Sequence, residues 1–288
     1  MAALVALLGL PGASASGIAR PAVQDAPPNS SVTLRIAPRT GDRSEYRHEK
    51  RLDLQLPPDL GGEVTTRTVL RLAQEVEETA ADSVVLGAEI LEIRFEAEPA
   101  PADLPDLGGL EGLQFRLVTT PAGRLYRVDL PGATGPVARA LRDQVESWLR
   151  ELGFPALPAG PVRVGDSWTD TTRVPLATLL GLRTEAETLE IRTTTLEALD
   201  GAPGQRTARL AVRTSWSGGQ GPADAPDLVV DGAGSQVVEF DVEAGRFARA
   251  SGSSRIRVLV FDGTGAPPRR IESVGRHETR RVAGEGGR

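Results

Sequence analysis

Histidine and cysteine supply much of the acid–base, nucleophilic and metal chemistry of proteins, and this chain has two of the first and none of the second. Without cysteine there is no thiol nucleophile, no disulfide and no thiolate metal site. His48 lies in Tyr46-Arg47-His48-Glu49-Lys50 and His277 in Arg276-His277-Glu278, and both contexts read as charged, solvated strand faces. There is no G-x-S-x-G elbow, no H-E-x-x-H pair and no EF-hand loop. Asp166 and Asp170 flank Trp168, and two acids beside a tryptophan suit a glycosidase. The competing reading makes Gly165-Asp166 a turn and starts a strand near Trp168, whose ring fills the core. The loop acids Asp103, Asp106, Asp224 and Asp227 are turn formers before they are calcium ligands. Arg269, Arg270, Arg276, Arg280, Arg281 and Arg288 form a basic stretch that alternates with Glu272 and Glu278, as a solvated edge strand would. The expectation is a protein that is not an enzyme, with no catalytic residues, no cofactor and no metal. A carboxylate-based hydrolase is the remote alternative.

The bulk composition agrees. A formal charge of −6 and a pI near 5.2 exclude a polyanionic partner such as nucleic acid. The aromatic content of 4% leaves little for stacking on bases or sugars. Lys50 is the single lysine among 33 basic residues, a bias typical of GC-rich coding sequences. At 288 residues the chain can bury a real core without staples.

Residues 1–15 read as a cleaved signal peptide: the apolar run Ala2–Leu10, a Pro-Gly break, then Ala13-x-Ala15. The run is too short to span a bilayer, so no transmembrane segment is expected. It lacks the usual positive n-region, which implies a start upstream of Met1 or a weak signal; a buried N-terminal segment is the alternative. Residues 16–30, rich in Pro, Ala and Ser, read as a disordered lead-in. The expected location is periplasmic or extracellular.

From Ser31 the dominant period is two, the mark of half-buried antiparallel strands. Val32–Ile36, Leu52–Leu56, Leu86–Phe95, Gln114–Val118 and Leu125–Leu130 alternate in this way. The spacing of Val137, Leu141, Val145, Trp148, Leu149 and Leu152 predicts an amphipathic helix over 135–153, stopped by Gly153 and Pro155. The strand pattern then restarts in the same order. Gly41-Asp42 recurs as Gly165-Asp166, 124 positions on, and Ala122-Gly123-Arg124 as Ala244-Gly245-Arg246, 122 positions on. This predicts two related antiparallel β modules, 31–134 and 154–288, forming curved sheets with the helix packed on them. Glu98–Gly112 and Gly218–Gly234 read as corresponding loops, and Arg255–Phe261 with Arg270–Val282 as a final hairpin turning at Asp262-Gly263.

Pro161-Val162-Arg163-Val164-Gly165-Asp166-Ser167-Trp168, followed by Phe240-Asp241-Val242-Glu243-Ala244-Gly245-Arg246, resembles a group of exported bacterial proteins of unknown function, many of them lipoproteins. The architecture is also similar to the curved-sheet, helix-capped lipoprotein carriers, which hold acyl chains under their helices. These resemblances imply an envelope location and a β-rich fold, and they assign no catalytic residues. The expected function is a non-enzymatic envelope protein binding an apolar or lipid-like molecule between helix and sheet, with Leu141, Val145, Trp148 and Leu149 as contacts. The alternative is a structural or protein-interaction module without a pocket. The oligomeric state is open.

Overall fold

The structure is a computed structural model, and it describes residues 31–99, 107–131, 141–142, 145–146, 149, 152–175, 187–220, 227–261 and 266–282. The expected signal peptide 1–15 and lead-in 16–30, Trp148, Asp103, Asp106, Asp224, Arg288 and the expected Asp262-Gly263 turn lie outside them.

Alternation builds long strands here: β1 (Arg43–Gln55), β2 (Glu63–Thr79), β3 (Val84–Glu98), β4 (Gln114–Thr119), β5 (Leu125–Asp129), β6 (Ser167–Pro175), β7 (Glu187–Asp200), β8 (Thr207–Gln220), β9 (Leu228–Asp241), β10 (Arg246–Val260) and β11 (Arg269–Val282). All pair antiparallel in one sheet of order β5-β4-β3-β2-β1-β11-β10-β9-β8-β7-β6. The seam is β1 against β11, with His48 opposite Thr279 and Lys50 opposite His277.

The expectation of two modules with a packed amphipathic helix is therefore corrected. Both halves contribute to a single sheet. Among the described residues α-helical backbone stands only at 141–142, 145–146 and 149, beside two three-residue 3-10 turns at Pro58–Leu60 and Gly108–Leu110, and there is no helix of seven or more residues. Extended chain covers the other part of the inner face. Residues 31–38 and 154–163 run side by side, joined by the Val32–Val162 bridge, and form a strap. Val32, Leu34, Leu157 and Val162 sink from it into one apolar cluster with Leu196, Leu210, Val238 and Phe240. Val32–Ile36 alternates like a strand because it buries every second residue, yet it makes one bridge rather than a ladder.

The sheet must curl. Eleven strands about 4.8 Å apart would put the edges of a flat sheet roughly 48 Å from each other. Yet Arg124, beside edge strand β5, holds Asp170 on the opposite edge strand β6 at 2.7 Å. The strap stitches the same gap: Ile36 N–H donates to Pro121 O (2.7 Å), Leu157 N–H to Ala122 O (2.7 Å) and Ala37 N–H to Gly245 O (3.2 Å). One face thus becomes an interior. On β1 the even positions Tyr46, His48, Leu52 and Leu54 are buried. The odd positions face outward in a charged ladder, Arg71 reaching Glu45 and Glu92, and Glu49 reaching Arg47 and Arg67.

The sequence markers correspond to matching turns. Gly41 and Gly165 both adopt positive φ (86° and 96°), which glycine allows without strain. Asp42 accepts from Arg39 N–H (2.9 Å) and Asp166 from Arg163 N–H (2.8 Å) through their carboxylates. Each turn then docks on the next strand, at Val76 and Leu196 respectively. Two further expectations are corrected. Gly218–Gly234 is mostly strand, ending β8 and opening β9. Its glycines make room: a Cβ on Gly234 would stand 3.0 Å from the Trp216 indole. The arginine-rich β11 is central rather than an edge strand.

Candidate functional site

The strap does not fill the interior completely. A cavity of about 390 Å³ remains at the end where β1, β2, β3, β4, β6 and β10 converge under it. Ile36, Val76, Leu86, Leu117, Phe154 and Phe247 give it an apolar wall. Its floor is an aromatic group. Phe154 of the strap stacks on Phe247 (centroids 4.4 Å, planes 5° apart), while Tyr46 meets Phe154 and Phe240 meets Phe247 edge-on. Offset and edge-on contacts of this kind add to area burial. The Tyr46 hydroxyl donates to Phe247 O (3.1 Å), tying β1 to β10 across the cavity floor, and burial holds its phenol above the usual pKa. Four of the eight Phe and Tyr residues are in this group.

The rim is polar. Asp42, Arg124 and Asp170 stand there, with Glu190 and Arg192 deeper in. Each of these acids has a structural duty. Asp42 caps its turn, Asp170 holds Arg124, and Glu190 accepts from Trp216 Nε1–H (2.8 Å) while pairing with Arg192 at 2.7 Å. Asp166 is an exposed turn cap, and Trp168 donates Nε1–H to Ala156 O (2.8 Å), anchoring the strap. Asp166, Trp168 and Asp170 thus serve as a turn cap, a strap anchor and a latch.

A second, smaller cavity of about 120 Å³ shares Glu190 and Arg192 as walls and adds Lys50, His277, Gln236 and Trp216. His277 in this wall and His48 next to it, both expected on solvated faces, are found inside. His48 is 1% exposed, and the two rings lie 6.3 Å apart. Their tautomers follow from their partners. Thr279 Oγ1 donates to Leu152 O (2.9 Å), so His48 Nδ1–H donates to Thr279 Oγ1 (2.8 Å), and His48 Nε2 is left as a buried acceptor without a protein partner. Gln236 gives its amide N–H to Gly153 O, so its Oε1 accepts from His277 Nε2–H (3.0 Å). Gly153 is required at this crossing: its φ is +80°, and a Cβ would meet Gln236 Oε1 at 2.8 Å. Burial depresses both pKa values, His48 to about 3 with help from His277 and Lys50, and His277 to about 4 with help from Lys50 and Arg192. Both rings are neutral near pH 7.

Of the contacts expected from sequence, Leu149 lines the larger cavity. Val145 is 1% exposed in the core cluster of β2–β5, and Leu141 packs on that cluster from outside. The aromatic floor and the Lys50–His277 group were not anticipated. Their signal was parity: 46, 48 and 50 share a strand face with Leu52 and Leu54.

These features define a curled-sheet protein with a strap-covered apolar cavity. No family model and no curated protein matches the chain. A solved structure of lipovitellin, described for its lipid–protein interactions, is similar over 86% of this chain and 26% of its own, with a TM-score of 0.46 and 13% identity. Among the described residues no helix is long and apolar enough to cross a membrane, and no group of three or more metal-ligating side chains comes together.

The latch makes a prediction. The Arg124 side chain is 60% exposed, so Arg124→Ala should change stability by less than about 1 kcal/mol. It should nonetheless speed hydrogen exchange at the Ile36 and Leu157 amides, which depend on the Pro121–Ala122 turn beside it. Unchanged exchange at those two amides would remove the latch role.

Proposed function

We propose that this chain is a non-enzymatic binding protein that holds an apolar or lipid-like small molecule between the strap and the inner face of the sheet. The observation that carries the reading is the cavity of about 390 Å³, apolar within and polar at its rim. Small-molecule sites typically span about 300–1,000 Å³ and combine an apolar lining with few polar groups. The aromatic floor supplies rigid contact area, and the Arg124–Asp170 latch sits where a ligand would enter. The engagement of Asp42 in a turn, and of Asp170 and Glu190 in ion pairs, supports a binding role over a hydrolytic one. We also propose export, on the strength of Ala2–Leu10 and Ala13-x-Ala15, which makes the protein a component of the cell envelope or its surroundings.

The test is native mass spectrometry on protein purified from its own host without detergent. Adducts of lipid-like mass that disappear on solvent extraction are the expected result. Bare protein that also fails to bind Nile red, a neutral apolar dye, would overturn the reading and favour an interaction module acting through its surface. N-terminal sequencing of the same material should begin near Ser16; an intact Met1 would rule out cleavage.

A further inference from the structure

The sequence repeats one turn, Ala122-Gly123-Arg124 and Ala244-Gly245-Arg246, and the fold brings both arginines to the lining of the larger cavity. Each turn is fastened to the strap, the first through Pro121 O and Ala122 O, the second through Gly245 O, which accepts from Ala37 N–H (3.2 Å). A Cβ on Gly245 would stand 2.5 Å from Ala37 N, so the strap lies directly on the backbone that carries Arg246. The two arginines differ in their duties. Arg124 is latched to Asp170 at 2.7 Å, and Arg192, also in the lining, pairs with Glu190 at 2.7 Å. Arg246 is half-buried with its Nε enclosed, and it makes no ion pair or side-chain hydrogen bond among the described residues.

The carboxylates around Arg246 have other partners. Asp241, opposite it on β9, accepts from Ala244 N–H (2.9 Å), and Glu243 of the same turn holds Arg206 (2.8 Å). Asp42 in the cavity lining accepts from Arg39 N–H (2.9 Å). A second guanidinium adds to the field. Arg281 stands opposite Tyr46 on β11, and its Nη1 is likewise enclosed without a partner among the described residues. Both arginines act electrostatically on the Tyr46 phenol. A buried guanidinium nitrogen without an acceptor is costly, and two cations about one phenol repel each other. An anion bound there relieves both, and the planar guanidinium fork matches a carboxylate. The charge of Asp42 in the same lining disfavours a doubly charged head, which selects a carboxylate over a phosphate monoester.

We propose that Arg246, backed by Arg281, receives the carboxylate head of a single-chain amphiphile whose hydrocarbon lies along Phe154 and Phe247 in the larger cavity. The inference rests on the binding function proposed above and specifies its ligand class and the residue that selects it. The same chemistry would accept a free short carboxylate, and the experiment separates the two.

Nile red bound to the wild-type protein is displaced by laurate, by methyl laurate and by acetate in parallel titrations. Laurate should displace the dye at roughly tenfold lower concentration than its ester, the equivalent of one charge-assisted hydrogen bond. Acetate should displace nothing. Arg246→Gln should erase the advantage of the acid while leaving the ester unchanged. Arg249→Gln, which removes an arginine of the same strand that is paired outside with Glu278, should keep the advantage. Equal displacement by acid and ester, an equal loss of both in Arg246→Gln, or the same loss in Arg249→Gln overturns the role of Arg246 while leaving the apolar cavity standing. Acetate as potent as laurate overturns the amphiphile. If Arg246→Gln does not fold, the Arg246 Nε–Hε resonance of the wild type decides: laurate should shift it and methyl laurate should not, and no shift with laurate sinks the proposal. If Nile red does not bind, the reading of the larger cavity fails, and the same resonance titrated with laurate decides the carboxylate site alone.

Discussion

Acidification from pH 6.5 to pH 4.5 should strip this protein of several kcal/mol of stability before any carboxylate contributes. His48 and His277 have native pKa values of about 3 and 4, against 6.5 in an unfolded chain. Between those limits the unfolded state binds protons that the native state refuses, so stability falls as pH falls. Each histidine contributes up to about 1.4 kcal/mol per pH unit, and the pair about 4–5 kcal/mol over this interval. That is a large part of the roughly 5–15 kcal/mol that holds a typical domain together. The charged groups facing the rings, Lys50 from β1 and Arg192 from β7, act in the same direction as burial. Glu49, Asp53, Glu243 and Glu272 also have lowered pKa values, Glu49 and Asp53 chiefly through hydrogen bonds to Arg47 and Thr65. Their stabilisation is lost only as pH falls below the ordinary carboxylate values of 4.5 and 3.8, which leaves the upper window to the histidines. Urea midpoints measured each half unit should decline steeply between 6.5 and 4.5. His48→Gln should halve that slope even if it lowers stability at pH 7. A flat profile over the window would show that the rings are not enclosed as described.

Phe247→Ala should be the most damaging single change at the cavity. Phe247 is 5% exposed, stacks on Phe154 and meets Phe240 edge-on, and its carbonyl accepts the Tyr46 hydroxyl. Truncating such a ring typically costs about 3–5 kcal/mol, through lost transfer energy and the void left behind. For a chain of this size that corresponds to a fall in Tm of roughly 6–20 °C. The void would open onto the existing cavity, so Nile red fluorescence per folded molecule should rise while the melting temperature drops. A variant that melts within about 2 °C of the wild type would mean that the aromatic floor does not hold β1, β10 and the strap together.

Much of the strand content was legible because a sheet with one wet face imposes a period of two. Leu86–Phe95 falls inside β3, Gln114–Val118 inside β4 and Arg270–Val282 inside β11. The two Gly-Asp turns and the two Ala-Gly-Arg turns were legible because they need glycine at positive φ, as Gly123 and Gly245 show at 76° and 59°. The errors have equally local causes. A strap that buries Val32 and Leu34 copies the alternation of a strand without its ladder. Glycines in β9 that make way for Trp216 at Gly234 and for Ile256 at Gly232 look like a loop. The helical spacing over 135–153 describes a face, and no face says which partner will cover the sheet. His48 was misplaced because its neighbours Arg47 and Glu49 are charged, although neighbours along a strand lie on the opposite side. The site itself depends on the β1–β11 seam, which joins positions too distant in the chain for any local pattern to announce.

That seam also dictates when the protein can fold. β1 and β11 sit side by side in the middle of the sheet, with Glu45 opposite Val282 and Gln55 opposite Glu272. A nascent chain can form the β1–β5 and β6–β10 meanders as they appear, but the two stay unjoined until β11 is made. Both the His48–Thr279 contact, 231 positions apart, and the Lys50–His277 pairing then close together when β11 docks. Closing the sheet thus has high contact order, on the slow side of the millisecond-to-second range seen for such topologies, and deletion of residues 269–282 leaves two half-sheets with open edges rather than a slightly shorter protein.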